Sequence, residues 1–437
     1  MTTRETLRQL ARYESPNVTF VAPDGSWPIV WERAQGCAVW DPEGCRYLDL
    51  TAAFGVAAAG HANPRVVRAG QRQMSGLLHA MGDVHPHALK ARLARTLSDL
   101  TFGRWSRRAV HGRTLFTNSG FEAVEAALKT ARLATGRPGV IAFEGAYHGL
   151  GYGALNATHR AHFRQPFTDQ LGGFAMFVPW PEGGHGVRAD LKRIEAAIEN
   201  AFATQPIGAI LVEPMQARGG IRIPPPEFLR RLRRLADAHG ALLVLDEIYT
   251  GFGRTGRWFA CEHSGVQPDL IALGKALTGG FPLSACVGRA NLMEAAWPRS
   301  TGEAIHTSTF LGHPVGCAMA LAQIAELRTR RLIPRSAALG RHLRRQLGQL
   351  PARIGRLHIT VRAEGLMAGV ALHHPDGSPA GREGLQVVQR LLQRGFLLLP
   401  EGPEGEVISL TPPLTITRRD LDRMVRALIE TLQEVAA

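Results

Sequence analysis

A lysine set just past a short apolar strand is the residue in this sequence best suited to covalent chemistry. In Asp269-Leu270-Ile271-Ala272-Leu273-Gly274-Lys275 the amine follows a buried-type run and precedes Gly279 and Gly280. Lysine occurs only at positions 90, 129, 192 and 275, against a Lys+Arg total of 51, so it is not the default surface cation here. Desolvation lowers an amine's pKa and makes it a nucleophile able to form an imine with an aldehyde. The ordinary alternative is a solvated surface lysine.

Asp246 closes the run Leu243-Val244-Leu245-Asp246-Glu247. That places a carboxylate at the carboxyl end of a buried strand, where ligands of open α/β sheets gather. The same pattern describes the magnesium-binding strand of a nucleotide hydrolase. A hydrolase also needs a phosphate loop, and no GxxxxGK[ST] occurs in the chain.

The segment Leu115-Phe116-Thr117-Asn118-Ser119-Gly120-Phe121-Glu122-Ala123 reads as strand, turn and helix start. Free N–H groups and the helix dipole at such a start can hold a phosphate, with Gly120 allowing close approach and Ser119 adding a hydroxyl. Simple N-capping by Ser119 is the competing reading. In Phe143-Glu144-Gly145-Ala146-Tyr147-His148-Gly149 an aromatic between glycines could stack on a flat ring, although Tyr147 also suits a core or rim position. His148 reads as a hydrogen-bonded structural histidine, and no histidine spacing, His85-Pro86-His87 included, suits a metal.

The elements that must position these residues alternate between apolar runs and helix-period segments, which predicts an α/β fold with a mostly parallel sheet covered by helices. Strands are expected at 114–117, 140–143, 209–213, 241–246, 270–273 and 285–288, and helices at 122–133, 191–203 and 227–238. The ends differ. A hairpin-like stretch around 39–50 turns at Asp41-Pro42-Glu43-Gly44, and an α+β segment begins near 322. The expected division is a segment 1–65 that joins a small domain, a large domain 66–321, and the rest of the small domain from 322 to 437.

Composition excludes other classes. With 45% hydrophobic and 20% charged residues the chain is that of an ordinary globular protein. A formal charge of +14 could suggest nucleic acid, but the arginines are scattered and no reading motif accompanies them, so no nucleic-acid partner is expected. The five cysteines, Cys37, Cys45, Cys261, Cys286 and Cys317, contain no CxxC pair. Reduced thiols and a cytoplasmic location follow as expectations, with no membrane association.

Taken together, NSGFEAVEAALKTAR, AYHG, VEPMQ, LLVLDEIYTGFGRTG, PDLIALGKALTGG and TSTFLGHP resemble the class III pyridoxal-phosphate (PLP) aminotransferases. WDPEGCRYLDL, GHANP and ISLTPPLTIT extend the resemblance toward both ends. It implies a PLP-dependent transferase of fold type I and a homodimer with shared active sites. The implied reaction moves an amino group from an amine or amino acid donor to a keto acid or aldehyde acceptor by way of pyridoxamine phosphate. Lys275 would carry PLP as an imine, and Asp246 would pair with its pyridine nitrogen. Tyr147 would stack on the ring and Gln216 would hydrogen-bond its phenolic oxygen. Ser119, Gly120 and the Phe121 N–H would hold the phosphate, and Thr309 would reach the neighbouring subunit's phosphate. Glu213 matches a strand-ending glutamate with either a structural or a chemical role. An aminomutase, epimerase or decarboxylase would share these residues, and a non-catalytic paralogue could keep the fold.

The chain departs from the family's pattern in three places. Phe121 stands where a small residue is usual, Arg218 where many relatives have glutamate, and Ser409 where they have arginine. Arg218 could take over carboxylate recognition through its planar guanidinium, or form a structural salt bridge. Phe54 could line the substrate channel or belong to the core.

Overall fold

The computed structural model describes every residue except 24, 108, 183–185 and 437. Three strands lie near the N-terminus, β1 Arg33–Gln35, β2 Ala38–Trp40 and β3 Arg46–Asp49. Seven follow through the middle: β4 Gly112–Thr117, β5 Gly139–Phe143, β6 Ala175–Val178, β7 Ile207–Val212, β8 Leu242–Asp246, β9 Leu270–Leu273 and β10 Ser284–Arg289. Six belong to the C-terminal part: β11 Arg353–Ile354, β12 Leu357–Glu364, β13 Met367–His373, β14 Phe396–Leu397, β15 Leu399–Glu401 and β16 Val407–Leu410.

The seven middle strands form one sheet in the order β4-β10-β9-β8-β7-β5-β6. Strands β5 to β9 pair in parallel, while β10 runs antiparallel to both neighbours. Every residue of β7, β8 and β9 is buried. Helices on both faces impose that burial, which is why these strands read as continuous apolar runs. The strand order reverses at β5, with β6 on one side and β7 on the other. Crevices at such reversals open at the carboxyl ends of the strands, so the fold itself selects where a ligand can sit.

The helix Gly120–Thr135 leads away from β4 and buries Ala123, Val124, Ala126, Ala127 and Ala131, small residues that permit close packing on the sheet. It begins two residues before the predicted Glu122. The cause is local: the Glu122 carboxylate folds back to accept from the N–H groups of Asn118 and Ser119, at 2.7 and 2.9 Å, and so fixes the start. Gly136 ends the helix in the left-handed conformation, at φ +68°.

The two chain ends meet. β14 pairs in parallel with β3, setting Leu48 opposite Phe396, while β11, β12, β13, β16 and β15 form a separate five-stranded sheet. Between the large sheet and this C-terminal part lies Arg254, only 2% exposed, which donates to the carbonyls of Leu366 and Pro412. Burial pushes its pKa down to about 10, and its Nη2 has no hydrogen-bond partner.

The N-terminal segment reaches the same region through a left-handed turn, with positive φ at Ala52, Ala53, Phe54 and Gly55. Left-handed geometry costs roughly 1–2 kcal/mol for each non-glycine residue, so the turn persists only because its surroundings hold it. The Thr51 hydroxyl accepts from the Ala53 N–H, and the Asp49 carboxylate accepts from the Thr51 N–H and hydroxyl. Gly55 abuts the Tyr249 ring, which would lie 3.4 Å from an added Cβ. Among the described residues no helix is long and apolar enough to cross a membrane.

Candidate active site

A cavity of about 360 Å³ opens at the carboxyl ends of β5, β7 and β8. Its lining includes Gly120, Phe121, Tyr147, His148, Glu213, Arg218, Asp246, Tyr249 and Lys275. The volume lies at the lower end of the range usual for small-molecule and cofactor sites.

Lys275 follows β9 in a single tight turn and has φ +42°, a strained value for a lysine that aims its amine into the cavity rather than along the sheet. Its Nζ lies 4.7 Å from the centre of the Tyr249 ring. Burial lowers its pKa, and the carboxylates of Asp246 and Glu213 only partly oppose that shift. The direction is the one that favours a nucleophilic neutral amine.

Asp246 ends β8. Its Oδ1 accepts from the Ile248 N–H at 3.1 Å, and its Oδ2 lies 2.8 Å from His148 Nδ1. A carboxylate can only accept, so Nδ1 is the protonated nitrogen, and the buried Nε2 is left without a partner. The imidazole thus orients the carboxylate from beneath. Glu213, at the end of β7, accepts from the N–H groups of Tyr147 and Ala217 at 2.9 and 3.2 Å. Burial, with Asp246 adding to it, pushes the Glu213 pKa up to about 7.

At the N-terminus of Gly120–Thr135 the Ser119 Oγ is buried and has no hydrogen-bond partner among the described residues. A side chain at Gly120 would come within 3.1 Å of Ile248, so the backbone N–H groups can be approached there only because residue 120 is glycine. An unfilled hydroxyl beside free helix N–H groups fits a phosphate. A carboxylate steadied by His148 fits a protonated ring nitrogen, and Lys275 fits an aldehyde. The donor set therefore matches PLP. Phe121 is accommodated because Gly149 and Gly151 leave room for its ring: a Cβ on Gly149 would lie 2.3 Å from Phe121 Cβ.

Five expected residues are not among the cavity's lining, Ser119 at its edge and four others. Gln216 Nε2 donates to the Glu144 carbonyl at 2.8 Å, and its Oε1 accepts from Arg222. Ser409 is buried mid-sheet between Gly369 and Leu399. Phe54 is 49% exposed on the strained turn, and Thr309 is exposed on a loop of this chain. Sequence reasoning also missed Tyr249, three residues past Asp246, whose OH lies 3.1 Å from Thr411 Oγ1. The pairing of His148 with Asp246 had no signal beyond the neighbouring Tyr147. Glu401, from β15, had none.

Arg218 sits in the loop after β7, its guanidinium 5.2 Å from the Tyr147 ring centre. Its Nε is 3.8 Å from Oε2 of Glu401, too long for a hydrogen bond, and neither atom has another partner.

Residues 20–432 match the model of the aminotransferase class-III family. An acetylornithine aminotransferase of Methanosarcina acetivorans is 35% identical over 404 residues, covering 92% of each chain. A 5-aminovalerate aminotransferase of Pseudomonas aeruginosa is 36% identical over 416 residues, covering 94% of each. Among solved structures, a PLP-bound amine transaminase from an uncultivated Pseudomonas species superposes with a TM-score of 0.87 at 28% identity, over 98% of this chain and 99% of that one. With a lysine, a steadied carboxylate and a phosphate-ready helix start converging at the strand ends, and the family match spanning nearly the whole length, this chain belongs to the class III aminotransferases, enzymes that transfer amino groups with PLP as cofactor.

Proposed function

We propose that this enzyme transfers the terminal amine of a donor that also carries a carboxylate, and that Lys275, Asp246, His148, Tyr147, the 119–121 backbone and Arg218 divide the work. The observation that supports this most is the convergence of Lys275 and the buried Asp246–His148 pair on one cavity that Arg218 also lines, its Nε without a hydrogen-bond partner among the described residues.

PLP, when bound, supplies the aldehyde that takes up the amino group and an electron sink for the carbanion left by proton loss. Lys275 would hold that aldehyde. Its amine, freed by a donor, would be the group placed to carry a proton, a task suited to an amine whose pKa burial has lowered. Asp246 would keep a proton on the ring nitrogen, and the His148 hydrogen bond fixes the carboxylate's direction. Glu213 holds the Tyr147 backbone so that its ring faces the cofactor. The Ser119 hydroxyl and the N–H groups of Gly120 and Phe121 would hold the phosphate.

Thr309 would complete the phosphate site of a second copy in a homodimer. Support comes from the outward face of Gly120–Thr135, where Phe121, Leu128, Leu133, Phe174 and Trp297 line a second, largely apolar cavity of about 790 Å³. The working division remains a small domain from 1–65 and 322–437 around a large one, and the pairing of β3 with β14 supports it. Five free cysteines support a reducing, cytoplasmic setting.

The test is the absorption of the holoenzyme, wild type and Lys275→Ala, before and after amines and ω-amino acids are added with no acceptor present. A near-visible band that depends on Lys275 and is bleached by particular donors, with carbonyl product equal to enzyme, is expected. A band that no donor bleaches would refute transfer from amines.

A further inference from the structure

Two of the chain's five tyrosines line the cavity, and each presents its ring to a cation there. Tyr147 meets Arg218, and Tyr249 meets Lys275, whose Nζ lies over the ring 4.7 Å from its centre. Tyr249 is held from three stretches of chain. It follows β8 by three residues and is 8% exposed. Its OH lies 3.1 Å from Thr411 Oγ1, and the Thr411 hydroxyl donates in turn to the Thr51 carbonyl at 3.2 Å. Thr411 has one hydroxyl proton and gives it to Thr51, so the Tyr249 OH is the donor of the first bond. Gly55, on the left-handed turn after Thr51, abuts the ring, and Met215, Ala217, Ile221 and Val407 share its apolar cluster. The ring is fixed, and the lysine amine at the end of its methylene chain is the movable partner.

A ring face attracts a cation within about 6 Å, more strongly where water is excluded. Burial disfavours the Lys275 ammonium, while Asp246, Glu213 and Glu401 favour it and Arg218 opposes it. A carboxylate that attracts an ammonium can also bind it by hydrogen bonding and take its proton. Asp246 and Glu213 already accept hydrogen bonds at both oxygens. A ring face does neither, so it steadies the charge and leaves the amine free to swing. Nor is the Tyr249 hydroxyl a base, since burial, with Glu401 adding to it, pushes its pKa up to about 12.

We propose that Tyr249 is a positioning residue for Lys275: its ring face receives the protonated amine whenever Lys275 is out of imine linkage, and the Thr411 hydrogen bond holds that face in place. Replacing the ring with an aliphatic side chain removes a group that favours the charged amine, and Lys275 then gives up its proton at lower pH. A loss of packing alone would admit water and move that point the other way.

The test reads the amine directly, in full-length protein saturated with pyridoxamine phosphate, which leaves Lys275 free. Trace acetylation with acetic anhydride over a range of pH, followed by mass spectrometry with the exposed Lys192 as reference, gives the midpoint at which Lys275 loses its proton. Tyr249→Leu should lower that midpoint by about one pH unit, whereas Tyr249→Phe, which keeps the face, should leave it within about 0.3. Phenylalanine carrying ring fluorines at position 249 keeps the volume and weakens the face. Its midpoint should fall between those of Phe and Leu, and it decides the matter if Tyr249→Leu does not fold. A midpoint that stays put or rises in the Leu or fluorinated proteins, or a Phe shift as large as that of Leu, would overturn the proposal. In the donor half-reaction the acid limb of kcat should move down together with the labelling midpoint. That arm rests on Lys275 as the proton carrier: a labelling shift with an unmoved limb upholds the hold of Tyr249 on the amine and refutes the carrier reading instead.

Discussion

The floor of the pocket and its far wall handle polar atoms in opposite ways. On the floor, both Asp246 oxygens are used, by His148 and the Ile248 N–H, and both Glu213 oxygens accept backbone N–H groups. On the wall, Arg218 Nε and Glu401 Oε2 face each other unfilled. The floor's atoms have a constant task, holding one cofactor, so the protein can complete most of their hydrogen bonds in advance; among its described buried atoms the Ser119 hydroxyl and His148 Nε2 stay open. The wall must trade partners at every turnover. Polar groups left unfilled inside a protein are costly and each needs a reason, which for the wall is a ligand that changes.

The largest effect should come from the floor. Lys275→Ala is expected to lower amino transfer by at least about 10⁴-fold, since it removes both the covalent anchor and the proton carrier. Single-turnover assays check this, and a loss below ten-fold would put the chemistry elsewhere. Asp246→Asn, which keeps the shape but not the charge, should cost roughly 10²–10⁴-fold in kcat with little change in donor KM. An effect confined to KM would move Asp246 from the floor's role to the wall's. Arg218→Ala should do the reverse, raising KM for carboxylate donors by about 10–100-fold while kcat stays within a few-fold. An unchanged KM for every acidic donor would return Arg218 to a structural part.

The smallest effect is on stability. Glu213 keeps its proton up to about pH 7 in the fold, against a reference value of 4.5. The folded state therefore binds more protons between those values, and the contribution is present below about pH 4.5 and lost as pH rises through 7. Melting temperatures across pH 5–8 should fall less steeply for Glu213→Gln than for wild type. Parallel slopes would mean that the buried carboxyl is already ionised.

What the sequence discloses follows the same division. Lys275 and Asp246 are legible because each is a charged residue directly ending an apolar run, a local pattern that carries its own three-dimensional meaning. The helix start at Ser119-Gly120 is legible for the same reason. Gln216 is less legible, because an amide's type does not tell where it points, and its hydrogen bonds to Glu144 and Arg222 come from residues distant in the chain or beyond any local pattern. Glu401 is invisible in the sequence: it sits at the end of a three-residue strand before a glycine turn, and only the pairing of β15 with β16 and the contact of Gly402 with Arg218 carry it to the pocket. Local chemistry reads from local sequence, whereas specificity assembled across the chain does not.

Arg254 has a consequence for how this enzyme can change. Its acceptors are carbonyls of the C-terminal part, so a large domain grafted onto a foreign partner would strand a guanidinium in an apolar interior unless the new chain offered the same two oxygens. The same junction is crossed by Arg362, whose Nη1 donates to the Gly220 carbonyl at 3.0 Å. Substitutions at positions such as 218 leave these acceptor carbonyls in place, whereas exchange of the whole C-terminal part removes them.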